Sequence, residues 1–444
     1  MHGFTYSLIG CQAAYLATYY PSVIWNTAYL RVISGLDKDA SSNYGKIAKG
    51  VGEIISHNTD ISLIDINKSD YFFTPDVENN SIRYGLKALN GVGGEIIDQI
   101  IENRPYNSLQ DFMDKNSFNK TVMISLIKSG AFDQFGERKD VMKEYIWNIC
   151  GAKKRITMQN YNGLLEQDLI PEEYSIQNRL FVFNKALKKH CKINKEYYSM
   201  NANYYDFYAQ FFDVDLLVPY NNGLAISVKT WKKLYDKAIE PVKIFIQNNK
   251  DDLLIDYNNI LFQEEWDKYA SGSYSTWEME SLGFYYHEHE LININDNLYD
   301  IIEFSSLDEE PVVDKTYTKK GRTFSTYITY RIYGTVIAKD DAKSSISILT
   351  KGSGVVNIKF TRDYYAKYNQ TLSQIGADGI KHRMEDSWFK KGTLVVINGF
   401  RRGNTFVAKS YKKTLSHQLY KILKIDNNKG IIEMTNLRWG EDDG

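Results

Sequence analysis

LKALNGVGGEIIDQIIENR, residues 86–104, sets three glycines and a valine between two segments whose apolar residues recur at helical spacing. Gly91, Gly93 and Gly94 lack a Cβ, so the backbone there can take positive φ and another molecule can come close. The stretch that follows, EIIDQIIENR, starts a helix whose first amides have no intrahelical partner and whose dipole is positive at that end. An anion suits such a place. Main-chain N–H groups holding a phosphate grip a nucleic-acid backbone without reading its sequence. The expected contacts are Lys87, Gly91, Val92, Gly93 and Gly94. The same letters also suit a plain helical corner that binds nothing.

Downstream, NKTVMISLIKSGAFDQFG (119–136) repeats the order helix, small-residue turn, helix, with Lys120, Lys128, Ser129 and Gly130 at its turns. Two such hairpins packed back to back would hold two phosphates of one duplex, with salt-dependent, sequence-blind affinity. KGVGEII (49–55) shares the letters of the first turn, but a serine-rich stretch precedes it, and it reads as an ordinary helix.

Around this centre the chain changes character. HGFTYSLIGCQAAYLATYY (2–20) reads as a helix with Phe4, Leu8, Cys11, Ala14 and Tyr15 near one face, ended by Pro21, and a second helix is expected over 23–33. DYFFT and IRYGL, separated by Pro75, Asn79 and Asn80, read as a short hairpin, and helix is expected from there to about Cys150. Residues 151–274 are rich in Tyr and Lys with mixed periodicity and yield no assignment. Beyond Lys315, the runs TYRIYGTVIA, SSISILT, GVVNIKF, GTLVVING and NTFVAKSY are rich in β-branched residues. Val356, Ile358 and Phe360 alternate with Asn357 and Lys359, as in a half-buried strand. Five such strands predict a small closed barrel, of which the oligonucleotide-binding (OB) fold is the commonest intracellular example. Lys351, Lys359, Arg401, Arg402 and Lys409 would line a basic groove, with Tyr327, Tyr333, Phe406 or Tyr411 offering faces to single-stranded bases.

Composition limits the alternatives. With 444 residues, 43% of them hydrophobic, the chain has room for two to four domains with their own cores. The formal charge of −1 gives no global attraction for polyanions, so nucleic-acid binding must rest on local patches. Cys11, Cys150 and Cys191 form no CxxC pair, which argues against a disulfide framework or a cysteine zinc site and for a reducing, cytoplasmic setting. No signal peptide is read, and no apolar run approaches the ~20 residues of a membrane span. Asp213-Val214-Asp215 would present both carboxylates on one face of a strand and is the best local candidate for a Mg²⁺-holding pair, as phosphoryl transfer or a nuclease needs, but no third acid or phosphate-binding lysine stands nearby and it reads as a solvated edge. His287 and His289 likewise lack further ligands and read as surface residues. No catalytic residue and no metal ligand is assigned in this chain.

Taken in order, HGFTYSLIGCQAAYLATYYP, IDINKSDYFFT, IRYGLKALNGVGGEIIDQIIENR, SLQDFMDK and LIKSGAFDQFG resemble the end of the fingers and the tandem helix-hairpin-helix block of bacterial C-family replicative DNA polymerases, the α subunit of DNA polymerase III. EMESLGFYYHEHEL (278–291) resembles the segment before that family's OB domain, and the five strands occupy the OB domain's place. The resemblance covers roughly 1–150 and 278–415. It implies an α+β multidomain chain: 1–78 as the end of the fingers, 79–150 as tandem hairpins, 151–290 as a divergent clamp-interaction region, 291–415 as the OB fold and 416–444 as a tail. The long Tyr-rich region and the SQIGADGIKHRMEDSWFKKG insertion depart from the family and point to a divergent, phage-encoded member acting in the host cytoplasm. The family's sliding-clamp peptide follows the hairpins, and Gln159, Leu164 and Leu165 of MQNYNGLL stand at that place. Because the family's palm, thumb and most of its fingers precede the HGFTYSLIG helix, the chain is expected to be a split, DNA-holding subunit. A separate polymerase chain would then supply the palm with its Mg²⁺, and a non-catalytic accessory protein of replication is the rival expectation.

Overall fold

The computed structural model describes residues 2–35, 44–56, 58–200, 214–220, 223–352, 354–376, 379–409 and 419–441. They form two compact units, one of Met1–Met142 with Gly272–Gly444 and the other Lys143–Ser271.

The first unit opens with α1 (His2–Tyr19), α2 (Ser22–Ser34) and α3 (Tyr44–Ser56). Every described side chain from Gly3 to Tyr20 is exposed, Phe4 by 79% and Tyr6 by 72%. KGVGEII lies in α3, as expected, and Val23, Leu30, Ile47 and Val51 are buried. The short hairpin is present as β2 (Thr74–Asp76) antiparallel to β3 (Ser81–Arg83), and β1 (Asp60–Ser62) adds a parallel strand to β3. Then come α4 (Gly94–Glu102), α5 (Leu109–Lys115), α6 (Lys120–Lys128) and α7 (Arg138–Ile149). Ser108 and Asn119 cap α5 and α6, accepting from the Asp111 and Val122 amides and so satisfying donors that a helix start leaves open.

The second unit carries α8 (Tyr161–Glu166), α9 (Ser175–His190), a sheet of β4 (Tyr197–Met200), β5 (Val218–Tyr220) and β6 (Gly223–Ser227), then α10 (Val228–Ala238), α11 (Glu240–Asn248) and α12 (Lys250–Tyr269). Tyr161, Leu164, Ile239, Val242, Ile246 and Tyr257 make one core, and Leu180, Leu187, Ile226 and Trp231 another. Trp231 meets its need for a buried acceptor at Asn184 Oδ1, 2.9 Å away. Pattern reading missed α10 here, although its Val228, Trp231, Leu234, Tyr235 and Ala238 recur at helical spacing and pack on one core.

The chain re-enters the first unit at α13 (Tyr274–Ser281), forms an exposed hairpin of β7 (Val313–Lys319) and β8 (Arg322–Tyr327), and then closes a barrel. Its strands are β9 (Tyr330–Asp340), β10 (Ser345–Leu349), β11 (Val355–Lys359), β14 (Leu394–Arg402) and β15 (Thr405–Ala408), with α14 (Arg362–Asn369) and a small hairpin, β12 (Leu372–Ile375) and β13 (Lys381–Glu385), between the third and fourth. The order β11-β10-β9-β14-β15 closes through the parallel pair β11–β15, the topology of an OB fold. All five expected runs are strands, and Ile332, Val336, Ile348, Val356, Ile358, Val395 and Phe406 fill the interior. The unexpected insertion is partly core: Trp388 and Phe389 are buried against Tyr365 and Tyr368 of α14. The expected C-terminal tail instead carries β16 (Leu419–Asp426) and β17 (Ile431–Thr435), which widen the sheet beyond β14. Their alternation is short and broken by a register shift near Ile422, which is why it did not read as a strand pair. Arg438 is buried there, holding Glu385 at 2.9 Å and the Gln370 carbonyl at 2.8 Å.

Candidate nucleic-acid interface

The turn at 90–94 is the one the sequence singled out. Its first arm is a single 3₁₀ turn, Leu86–Ala88, rather than the expected helix. Leu86 and Lys87 donate their N–H groups to the Asp70 and Tyr71 carbonyls at 3.0 Å, so the preceding strand-like segment takes them up. Gly91 has φ +84, a left-handed backbone that a residue with a Cβ adopts only under strain. Val92, expected to touch phosphate, is 6% exposed and plugs the bend from inside. Gly91 and Gly93 are exposed and Gly94 half-buried. A Cβ on Gly93 would meet nothing within 4 Å, whereas one on Gly94 would lie 2.9 Å from the Tyr71 hydroxyl. Gly93 is the N-cap of α4, and no side chain caps that helix. The one acid of its first turn is the exposed Glu95.

Neighbouring elements hold the bend in place. Asn90 donates its N–H to the Ser281 carbonyl at 3.0 Å, and the Ser125 hydroxyl donates to the Asn90 carbonyl at 2.6 Å. The first turn of α6 borders the same bend, since the Thr121 methyl lies 3.7 Å from where a Gly91 Cβ would sit, and exposed Lys120 precedes it. Lys87 is half-buried with its ammonium 6.0 Å from the centre of the Tyr71 ring.

The second turn is different. Lys128, Ser129 and Gly130 are buried. Lys128 is ion-paired with Glu280, and the Ser129 hydroxyl donates to the Leu126 carbonyl at 2.7 Å. Gly130, at φ +84, lies under the Arg138 guanidinium: an added Cβ would stand 2.6 Å from Arg138 Nη2 and 2.8 Å from Asp133 Oδ2. Arg138, itself 3% exposed, bridges Asp133 at 2.6 Å and the fully buried Glu278 at 3.0 Å. Burial opposes its charge, but the two carboxylates outweigh that and raise its pKa. The glycine here makes room for an internal arginine, and Lys128, Ser129 and Gly130 are corrected from phosphate contacts to packing residues.

The barrel sorts its expected contacts the same way. Lys351 is held by Asp296 and the Ile294 carbonyl, both at 3.2 Å. Arg401 is 12% exposed at its side chain and braces the Leu307 carbonyl at 2.7 Å and the Gly403 carbonyl at 2.8 Å. Lys359 and Arg402 are exposed, and Lys409 is half-buried. The Arg402 guanidinium lies 5.7 Å from the rings of both Tyr327 and Phe400. Of the proposed stacking aromatics, Phe406 is in the barrel core, Tyr333 is buried with its hydroxyl on Asp296, and Tyr411 lies outside the described residues. Tyr327 is half-buried with its ring 4.8 Å from that of Phe400.

The remaining candidates have structural surroundings. Leu164 is fully buried in the core of the second unit and Leu165 packs against that core, while Gln159 is exposed, so a clamp peptide built on these leucines would have to leave its own core. Asp215 sits in a 3₁₀ turn rather than a strand, and Asp213 lies outside the described residues. His289, expected at the surface, is 4% exposed. Its Nδ1 accepts from the Leu291 N–H at 3.1 Å and its Nε2 lies 3.1 Å from the Leu349 carbonyl, an arrangement that fits the neutral ring. Burial pushes its pKa down to about 4. His287 pairs with Glu278 at 2.6 Å. Among the described residues no three His, Cys, Asp or Glu side chains group to hold a metal ion, and no helix is long and apolar enough to cross a membrane.

With this geometry in view, the comparisons with known proteins fall on the same elements. A helix-hairpin-helix motif matches residues 58–142, the stretch that contains both turns. The chain is 38% identical over 458 aligned residues to "Probable DNA polymerase YorL" of Bacillus subtilis and to the "DNA-directed DNA polymerase" of Bacillus phage SPbeta, matching 99% of this chain and 35% of each relative. It is 35% identical over 144 residues to the DNA polymerase III subunit alpha of Bacillus subtilis, covering 31% of this chain and 12% of the relative. The chain is homologous to the C-terminal part of C-family DNA polymerases. It spans about a third of the length of these two relatives. The phage link expected from its departures therefore holds, since the match to the phage polymerase extends over 99% of this chain.

Proposed function

We propose that this chain is the DNA-holding part of a C-family DNA polymerase. The Gly91–Gly94 bend and the uncapped start of α4 take a duplex phosphate through main-chain amides, bordered by Lys120 and Lys87, and they do so without reading bases. A separate polymerase chain supplies the palm, thumb and fingers together with the Mg²⁺ that the nucleotidyl transfer needs, and the exposed apolar side chains of α1 dock on it. The OB barrel, through Lys359, Arg402 and Lys409, follows the unpaired template. The observation that carries this reading is the contrast at Gly93: an exposed N-cap, open on its Cβ side, ahead of a helix that no side chain caps.

The test is binding of the full chain to duplexes of unrelated sequence across a salt series. Equal affinity for all of them, falling with salt and weakened alike by Gly93→Val, is expected. Sequence preference, or no duplex binding, would overturn the reading. Adding the chain to a palm-bearing C-family polymerase should raise primer extension. If it binds DNA but neither co-purifies with that polymerase nor alters extension, it is an accessory protein instead.

A further inference from the structure

The hairpin of β7 and β8 belongs to no core. All seven residues of β7 and the first four of β8 are exposed, and the two strands pair only with each other. A lone two-stranded hairpin is marginal in water, so this one depends on its foot. There the Tyr327 ring lies 4.8 Å from Phe400 of the barrel, and Ile328 donates its N–H to the Val312 carbonyl at 2.9 Å.

Its register builds a ladder along one face: Lys315 opposite Thr326, Tyr317 opposite Phe324, and Lys319 opposite Arg322. The rings of Tyr317 and Phe324 are 5.7 Å apart and inclined by 21°, and they are 50% and 43% exposed. The other face carries Thr316, Thr318, Thr323 and Ser325. Lys320, at positive φ, adds a fourth cation at the tip, and Asp314 is the single acid between 313 and 327. Among the described residues none of the four cations is in an ion pair.

Folding alone does not account for this composition. An exposed aromatic pair forgoes most of the burial that stabilises aromatics in a core. Like charges directly across a strand pair, as at Lys319 and Arg322, repel. A ligand that is both polyanionic and flat-faced turns both features to advantage.

We propose that the β7–β8 hairpin is an arm that binds single-stranded nucleic acid. Tyr317 and Phe324 stack with unpaired bases, and Lys315, Lys319, Lys320 and Arg322 hold the phosphates on either side. The choice of nucleic acid over an acidic protein rests on the DNA-holding reading above. The choice of a single strand follows from the rings, because bases offer their faces to a side chain only when they are not stacked in a duplex.

The experiment measures binding of the full chain to an oligothymidine and to a blunt duplex of matched length, over a salt series. Tyr317→Ala with Phe324→Ala should weaken oligothymidine binding between about fivefold and about 150-fold per stacked base, with the salt slope kept. Tyr317→Ile with Phe324→Val removes the rings but keeps strand propensity, and it should lose as much; full affinity in this variant would mean that strand shape and not stacking mattered, and would overturn the proposal. Lys319→Gln with Arg322→Gln should lower the single-strand slope by about 1.4, from about 0.7 per phosphate contact. Duplex affinity should hold in all three, while Gly93→Val should reverse the pattern. An unchanged oligothymidine affinity in the ring variants, or an equal loss on duplex, would overturn the arm and leave the duplex reading standing. A full chain that binds neither DNA would overturn both.

Discussion

The turns at Gly91 and Gly130 are nearly the same object in sequence and opposite objects in space. Both follow a short helical segment, and both place a glycine at φ +84. Across the first lies open space above Gly93; across the second lies the Arg138 guanidinium, clamped by Asp133 and Glu278. A glycine signals that something approaches the backbone, and it leaves open whether that thing is a ligand or the protein's own side chain. Under the proposed function, this asymmetry leaves one turn open to a duplex phosphate where a symmetric pair of hairpins would offer two.

Breaking the sealed side should have the largest effect. Arg138→Ala leaves Glu278 buried without a cation and should cost about 3–5 kcal/mol in a denaturant titration. Stability unchanged within 1 kcal/mol would mean that the turn is held by something else. Acid should loosen the segment just past the Tyr286 and His287 amides that Glu278 holds, because the buried His289 lies there. His289 titrates near 4 when folded against about 6.5 when unfolded, so its contribution is full above pH 6.5 and is lost as pH falls toward 4. The loss should be about 3 kcal/mol, and unfolding free energies at pH 7.5 and 4.5 in the protein and in His289→Gln would reveal it as a difference in slope.

Gly130→Ala is expected to destabilise by roughly 1–3 kcal/mol through positive φ and collision with Arg138, without changing DNA affinity at temperatures where it is folded. Gly93→Val sharpens the comparison from the other side: its extended backbone, φ −84, tolerates any residue, so melting should be unaffected while binding to all duplexes falls by about 1–3 kcal/mol. The smallest effect belongs to Glu95→Gln. Removing an exposed acid from the first turn of α4 should tighten duplex binding by a few tenths to 1 kcal/mol at low salt and by nothing measurable at high salt. Weaker binding would show that no phosphate sits there.

The barrel was legible because strand alternation needs only neighbours two apart: Val356, Ile358 and Phe360 announce a buried face without reference to the rest of the chain. The hairpin region was legible as far as its glycines. The cationic sites were less so. Lys128, Lys351 and Arg401 carry the same letters as exposed cations, yet each is held by a carboxylate far away in sequence, at Glu280, Asp296 and Glu309. The aromatic arm passed unread because its alternation resembles an ordinary edge strand, and only the missing neighbour distinguishes it.

By itself, then, the sequence determined the kind of most elements outside 151–274 and the last strand pair: which segments coil, which extend, and which glycines mark a turn. These follow from local sterics and short-range periodicity, which travel with the chain. Tertiary structure alone decided which bends and charges face outward, since that depends on partners such as Arg138 and Glu278, 140 residues apart, which long-range folding brings within 3.0 Å.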